Sequence, residues 1–534
     1  MENQHPLSDH TEITMTQARV TQVVPMNHLS DGAEKRIVIV GGGFSGVAFA
    51  IQLVRRTQAR VQVSIVEPGK FLGHGLAYSA VDPDHRLNGP INAMVIDPEH
   101  TEELPEWCRA RSIIENDLEA HVPSGHVFLR RSVIGEYLSH QIFRHANCER
   151  SGSTIRHIRE LAIDVLKEPN GFLVKTSSCA DLIADMVILA TGNPAPGLRK
   201  PFAPEHAEHA RIIANPLVAG CLDKIPADAR VLVVGSGLTA MDQLSTLLRR
   251  GHIGKLVAVS RRGLRPRAQS PEIRGIAIPR IPPTPILDKI NGPIPEFIAR
   301  EPANVRRWCR ALRQEISRVV RAGGSWHEPF DAVRDVLWKL WPQLPLAEQQ
   351  RFLRKLRVFW DIHRFRTPPM NEDMVGQAEE LGRVQYLAAS VMGVTTSGPF
   401  DPVQIELEVR SEQAERNQHE FDYVINCTGL DSDGATSSNP VLANLEQRGI
   451  LRRHGTGMGY EVSNKCEAIG STGRADPNLR IIGPPTAGTF GDPLGAIYIT
   501  AQVKRLMPSV IETLGCAGTC ILKKQTSYRP ESSI

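Results

Sequence analysis

What this sequence lacks narrows it first. No CxxC occurs among its 534 residues, so no adjacent dithiol is available for disulfide exchange. The nine cysteines follow neither a disulfide framework nor a zinc-ligand spacing, and the odd count fits reduced thiols in a cytoplasm. Cys516 and Cys520 form a CxxxC near the tail that reads as two unrelated thiols. No apolar run reaches the length of a membrane span, because Asp181, Asp185 and Glu512 interrupt the best candidates. The opening MENQHPLSDHTEITM has neither the basic start nor the apolar stretch of a secretory signal. There is no GxxxxGK[ST] loop for phosphoryl transfer and no metal-ligand cluster. A net charge of +4 is small for this length and leaves no electrostatic footprint for nucleic acid.

What is present is an ordinary globular composition, 41% apolar and 22% charged, on a chain long enough for two to four domains. Residues 1–33 are polar and aperiodic, and read as a disordered leader. Structure is expected to begin at KRIVIVGGGFSGVAFAIQLVRR. Ile37 to Val40 is an apolar run of strand length, and Val47, Ala50, Ile51 and Val54 then recur at helical spacing. A second strand, Val61 to Glu67, completes a βαβ unit. Gly41, Gly43, Ser45 and Gly46 lie in GGGFSG, a GxGxxG at the junction of strand and helix. Gly41 suits the tight turn, Gly43 admits a pyrophosphate to the backbone, and Gly46 permits close helix–strand packing. The helix N-terminus offers unpaired N–H groups to phosphates. Glu67 ends the second strand, where a carboxylate accepts from ribose hydroxyls.

The pattern returns about 190 residues later. Val231 to Val234 is a strand, and Met241, Leu244, Leu247 and Leu248 mark one face of a helix. Gly235, Gly237 and Thr239 belong to a GxGxxA fingerprint between them. Here the acidic residue is missing, and the strand from Leu256 ends in Ser260-Arg261-Arg262. A carboxylate would repel the 2′-phosphate of NADP, whereas a hydroxyl and two guanidinium groups bind it. The second unit is therefore read as an NADP site.

Two apolar strands end in Thr-Gly, at Thr191-Gly192 and at Thr428-Gly429. One lies between the fingerprints and one after the second, the arrangement of flavoproteins that bind two dinucleotides. Near the C-terminus a strand leads through a Gly/Pro turn at Gly483 to a helix from about Leu494, with Asp492 as its expected cap. That helix would aim its positive end at the flavin. Residues 285–365 are rich in Trp and Arg and read as a helical insertion, entered through the Pro-rich stretch Pro279 to Pro295. Interspersed Glu and Asp assign its arginines to solvated helix faces.

These pieces resemble the bacterial FAD/NAD(P)-binding proteins of the YdhS type, within the superfamily of amine N-hydroxylases and other flavin monooxygenases. The resemblance rests on IVIVGGGFSGVAFA, GHGLAYS, DHRLNGPINAM, RRSVIGEYL, ILATGNPAP, VLVVGSGLTAMD, GHIGKLVAVSRRG, FWDIHRFRTPP and INCTG, from about residue 36 to 506. The segment GTFGDPLGAIYI departs from the commonest family pattern. The region PFAPEHAEHARIIANPL lacks the FxGxxxHxxxW signature of Baeyer–Villiger enzymes.

The resemblance implies Asn88 and Met94 near the flavin, and His363, Arg364 and Arg366 near the nicotinamide or substrate. Met94 also suits core packing, and the two arginines also suit structural ion pairs. The expected fold is α/β with two Rossmann-like dinucleotide-binding domains. The FAD-binding domain would be split between residues 34–205 and 419–510. The NADP-binding domain would occupy 206–284 and 366–418, with a C-terminal tail at 511–534. The expected activity is an FAD- and NADPH-dependent monooxygenase. It would act on a small-molecule amine with O2 through a C4a-hydroperoxyflavin, in the cytoplasm and without nucleic acid or a membrane span. The alternatives are an NADPH dehydrogenase serving a quinone or protein acceptor, and a non-catalytic redox sensor.

Overall fold

The run Ile37-Val38-Ile39-Val40 has no polar alternation, and a strand of that kind must be covered on both faces. The computed structural model describes residues 34–80, 82–148, 151–277, 285–410, 415–429, 439–491 and 495–515. In it this run lies in the strand Lys35–Val40, at the centre of a seven-stranded sheet. Val61–Val66 pairs with it on one side and Met186–Leu189 on the other, both parallel. Ser153–Ile158 extends the sheet beyond Val61–Val66, and Ala475–Ile481 extends it beyond Met186–Leu189. The helix Phe44–Arg56 is buried from Phe44 to Val54, because the helix Ala496–Thr513 packs along the side away from the sheet. The leader 1–33, residues 279–284 of the linker, Asp492, Leu494, Cys516 and Cys520 lie outside the described residues. The seven described cysteines are free thiols.

A second seven-stranded sheet repeats the plan. Val231–Val234 pairs in parallel with Leu256–Ser260 and with Tyr423–Asn426, and Leu256–Ser260 pairs in turn with Val384–Thr395. The strands Val403–Val409 and Glu415–Phe421 add an antiparallel edge. This corrects the domain boundary expected at 418/419. The strand Tyr423–Asn426 belongs to the second sheet, and the chain rejoins the first sheet only at Glu467–Ile469 and Ala475–Ile481. An apolar strand ending in Thr-Gly does not say which sheet it enters; its neighbour decides. The tail expected from 511 is likewise helical as far as Thr513.

Residues 285–365 form the expected helices, including Ile286–Asn291, Val305–Arg321, His327–Asp335, Leu346–Lys355 and Arg357–Arg364. Indoles fasten them to the first domain: Trp341 Nε1 donates to the Gly488 carbonyl at 2.7 Å. The helix Leu238–Arg249 of the second domain is docked to the first through polar side chains. Arg131 meets Asp242 at 2.9 Å, Thr246 Oγ1 donates to Asp82 at 3.0 Å, and Arg249 pairs with Asp84 and Glu119. No helix among the described residues is long and apolar enough to cross a membrane.

The segment at the edge of the first domain is built on one buried ion pair. Arg86 is 1% exposed and forks onto Asp117 at 2.9 and 2.8 Å, with a third bond to the Phe128 carbonyl at 3.0 Å. Burial works against the Asp117 charge, but the Arg86 fork and Arg130 more than reverse it and hold the carboxyl below its ordinary range. Replacing Asp117 with Ala leaves the buried guanidinium with the Phe128 carbonyl and a more distant Glu119, so stability should fall by about 3 kcal/mol. A urea unfolding curve at neutral pH reads this as a lower midpoint. Because the folded pKa is depressed, the wild-type contribution is complete above the ordinary carboxylate pKa of about 4 and is lost as pH falls through the lower folded value. An unchanged midpoint in the variant would refute the role given to this pair.

Candidate functional site

The first fingerprint turn is fixed by a backbone approach that only glycine allows. Gly41 sits at φ 105°, and a Cβ there would lie 2.4 Å from the Ala190 carbonyl oxygen. At Gly46 a Cβ would meet the Gly41 oxygen at 2.2 Å. At Gly43 the nearest atom to such a Cβ is 3.7 Å away, so the backbone there is open. The helix Phe44–Arg56 has Gly43 as N-cap, no side-chain cap and no acid in its first turn. Its first N–H groups are therefore left for an anion. Glu67 accepts from Gly42 N at 2.9 Å and from Gly69 N at 3.0 Å, which orients the carboxylate at the mouth of the turn.

The second fingerprint repeats this geometry. Gly235 has φ 120°, and a Cβ there would lie 2.1 Å from the Cys427 carbonyl oxygen. Nothing lies within 4 Å of a Cβ on Gly237. The helix Leu238–Arg249 again has a glycine N-cap, no side-chain cap and no acid in its first turn. A third helix shares the feature. Ala496–Thr513 has Gly495 as its N-cap, and its first turn is equally free of acids.

All three helix N-termini face one cleft of about 2020 Å³, which runs from Gly41, Gly43 and Glu67 past Met94 to Leu238, Thr239 and Ala496. Its far end is walled by the insertion helices Ile286–Asn291 and His327–Asp335. Of the sequence-derived site residues, Gly41, Gly43, Ser45, Glu67, Asn88, Met94, Thr191, Gly192, Thr239, Arg364 and Arg366 line it. The Thr191 hydroxyl is buried and has no hydrogen-bond partner among the described residues, as expected of a group that awaits a ligand. With the open backbone at Gly43, it makes a cradle that a dinucleotide fits, and the open backbone at Gly237 gives the second fingerprint the same approach outside the cleft wall. Met94 takes part in both the cleft wall and the core, at 8% exposure.

The other expected residues stand elsewhere. Gly46 is inside the helix–strand contact, and Gly483 packs on Ser45 and donates its N–H to Gln502 Oε1 at 2.8 Å. Gly235, Gly237, Ser260, Arg261, Arg262, Thr428 and Gly429 lie at the ends of the second sheet, beyond the cleft wall. Arg261 and Arg262 are exposed, and among the described residues neither joins an ion pair; Arg262 lies 4.9 Å over the Phe359 ring.

His363 is a correction. It is not in the cleft wall but turns into an aromatic cluster, 4.8 Å from the Trp326 ring, with Nδ1 2.6 Å from the Phe359 carbonyl. Arg366 lies in the cleft wall, and it also takes the structural pairing open to it: its fork is occupied by Asp331 at 3.0 and 2.5 Å, and its Nε donates to the His363 carbonyl. Arg364 keeps its place in the wall, 5.0 Å over the Tyr498 ring.

Several wall residues escaped the sequence reading. Tyr498 donates to Asp335 Oδ1 at 2.7 Å, and burial pushes its hydroxyl pKa up. Arg334 bridges Asp331 and Asp335, each at 2.8 Å. Arg131 bridges to Asp242, whose carboxyl is pushed up by burial in spite of that cation. His327 is driven down to about 4, by burial first and then by Arg366. Asp242 had a signal, since it shares a polar helix face with Thr239, Ser245, Thr246 and Arg249 at helical spacing. The others are joined across distances that no local pattern records.

Residues 38–194 match a family described as FAD-NAD(P)-binding. No curated protein sequence matches. Among solved structures, the chain is similar in fold to the reduced form of ornithine hydroxylase from Pseudomonas aeruginosa, with a TM-score of 0.58 and 13% identity over 90% of this chain and 100% of that one. An ornithine N-hydroxylase from Kutzneria sp. 744, with reduced FAD, NADP⁺ and L-ornithine, aligns at a TM-score of 0.57 and 13% identity over 90% and 99%. The FAD-bound cadaverine monooxygenase from Erwinia amylovora aligns at 0.55 and 13% identity over 93% and 98%.

The Arg366 assignment yields a direct test. Arg366→Ala should lower stability by about 2 kcal/mol, because Asp331 loses a buried bidentate partner. It should also let the His327 imidazole titrate nearer its ordinary value, as followed by NMR. Arg366→Lys should restore the imidazole shift but only part of the stability, since an ammonium cannot fork. Full stability in the alanine variant would rule out the structural role.

Proposed function

We propose that this chain is an FAD- and NADPH-dependent monooxygenase that hydroxylates the nitrogen of a small amino acid or related amine. One observation carries the reading: three uncapped helix N-termini, one from each fingerprint and one from the C-terminal helix, open on a single cleft. Two separate pockets would serve two independent nucleotides, whereas one cleft lets a nicotinamide reach a flavin. The fold similarity to ornithine and cadaverine hydroxylases supports the same reading. Bound FAD supplies the redox chemistry, accepting a hydride from NADPH and activating O2. The balanced reaction is amine, O2, NADPH and a proton giving hydroxylamine, NADP⁺ and water.

The protein's part is binding, orientation and exclusion of water. In this reading the N–H groups after Gly43 hold the FAD pyrophosphate and Glu67 accepts from its ribose. Thr191, Asn88 and Met94 line the flavin's surroundings. Ser260, Arg261 and Arg262 take the NADPH 2′-phosphate at the sheet end, outside the reacting cleft. The N-terminus of Ala496–Thr513 places positive potential where reduced flavin carries negative charge. Arg364, in the cleft wall beside the Tyr498 ring, orients a substrate carboxylate, and the walls of the insertion keep the amine nitrogen partly desolvated and neutral.

The decisive experiment reduces the protein anaerobically with NADPH and mixes it rapidly with oxygenated buffer. A flavin spectrum distinct from both reduced and oxidised forms, persisting and decaying faster with an added amine, is expected. Immediate return to oxidised flavin with stoichiometric peroxide, for every amine, would leave a dehydrogenase instead. Arg261→Gln/Arg262→Gln should lower kcat/KM for NADPH about a hundredfold while leaving NADH nearly unchanged. Arg364→Ala should raise the substrate KM more than it lowers kcat.

A further inference from the structure

The helix Val305–Arg321 carries six arginines and one acidic residue, Glu315. At helical spacing Arg306, Arg307, Arg310, Arg313, Arg318 and Arg321 fall in one sector of about 140°. All six are exposed. Val305 is buried on the opposite side, Trp308 and Leu312 pack there against the insertion core, and buried Ala311 flanks the sector. Among the described residues only Arg318 has a carboxylate partner, Glu315 at 2.6 Å. The arginines stand on a solvated helix face, as expected, but the acids interspersed through the insertion's sequence do not share this face.

Such a stripe works against the helix that bears it. Like charges at i,i+3 and i,i+4, as in Arg306/Arg310, Arg307/Arg310 and Arg310/Arg313, repel. Arg306 and Arg307 sit in a first turn that contains no acid, where a cation opposes the macrodipole. Arg318 and Arg321 in the last turn, and the Glu315 pair, offset part of this cost, but among the described residues Arg306, Arg307, Arg310 and Arg313 have no carboxylate partner.

We propose that this face is a peripheral docking surface for an anionic membrane. The stripe extends about 22 Å along a straight helix, a linear array suited to a plane of phosphate headgroups. The helix's apolar side is already committed to the insertion core, so contact is electrostatic and does not involve insertion into the acyl layer. A specific protein interface needs a buried apolar or aromatic centre. This sector has none; Val320, 49% exposed, only borders it. It also has no aromatic platform for stacking bases, and the whole chain carries only +4. The docking is independent of the reaction assigned to the cleft.

The test uses the full chain and vesicle flotation. Phosphatidylcholine vesicles with about 30% phosphatidylglycerol should carry the protein up at low salt, and vesicles of phosphatidylcholine alone should not. Raising salt from about 50 to about 500 mM should release it. Arg306→Gln/Arg310→Gln/Arg313→Gln should bind at least about tenfold more weakly, with an unchanged or higher Tm because the repulsion is relieved. The corresponding lysine triple should bind like wild type, and so should Lys465→Gln/Arg474→Gln, which removes two exposed cations elsewhere. Equal binding by the glutamine triple, or no flotation at either salt, overturns the proposal. Retention on duplex DNA that is lost in the glutamine triple, without vesicle binding, would overturn it in favour of a nucleic acid.

Discussion

The close approach of two backbones organises this molecule. At Gly41 and again at Gly235 the turn after a central strand presses against the carbonyl that ends the neighbouring strand, Ala190 in one sheet and Cys427 in the other. A side chain at either glycine would collide with that oxygen, and both glycines hold a positive φ. Each of those carbonyls immediately precedes a Thr-Gly pair. The fingerprints and the Thr-Gly strands, which look like four separate motifs in the sequence, are thus two copies of one packing constraint. Each copy turns a helix N-terminus toward the space above the strand ends.

The consequence is electrostatic. A helix that starts on glycine, with neither a polar cap nor an early acid, leaves its first N–H groups unsatisfied. Three such helices around one cleft make a region that prefers anions and developing negative charge. The second domain is kept in register with the first by a network of charged and polar side chains at the helix Leu238–Arg249, with Asp242 and Arg131 at its buried centre. Because those partners are polar and depend on geometry, they specify an orientation more sharply than an apolar face would. The insertion completes the enclosure, with Asp335 and Tyr498 joining it to the start of the C-terminal helix.

Much of this was legible in the chain because it rests on local chemistry. Unbroken apolar runs marked the central strands within a residue or two, and glycine spacing marked both turns. The carboxylate at Glu67 and the cations at Arg261 and Arg262 marked the chemically opposite ends of the two corresponding strands. What was not legible depends on long-range partners. The strand Tyr423–Asn426 carries no sign of which sheet it joins. Both roles stayed open for Arg366 because the sequence does not reveal that Asp331, 35 residues earlier, takes its fork. His363 looked available because its aromatic neighbours lie on another helix. The stripe on Val305–Arg321 was hidden by averaging, since acids counted across the insertion do not share its exposed face.

The central claim is that one cleft brings a nicotinamide to a flavin, and hydride transfer measures that most directly. The FAD-loaded protein would be mixed anaerobically with NADPH, and in parallel with NADPH deuterated at the transferring position, while flavin absorbance is followed. The account predicts direct bleaching of the flavin with a primary deuterium isotope effect, faster with NADPH than with NADH. A flavin that binds but is not reduced by NADPH, or is reduced without an isotope effect and without preference for the phosphorylated nucleotide, would contradict it.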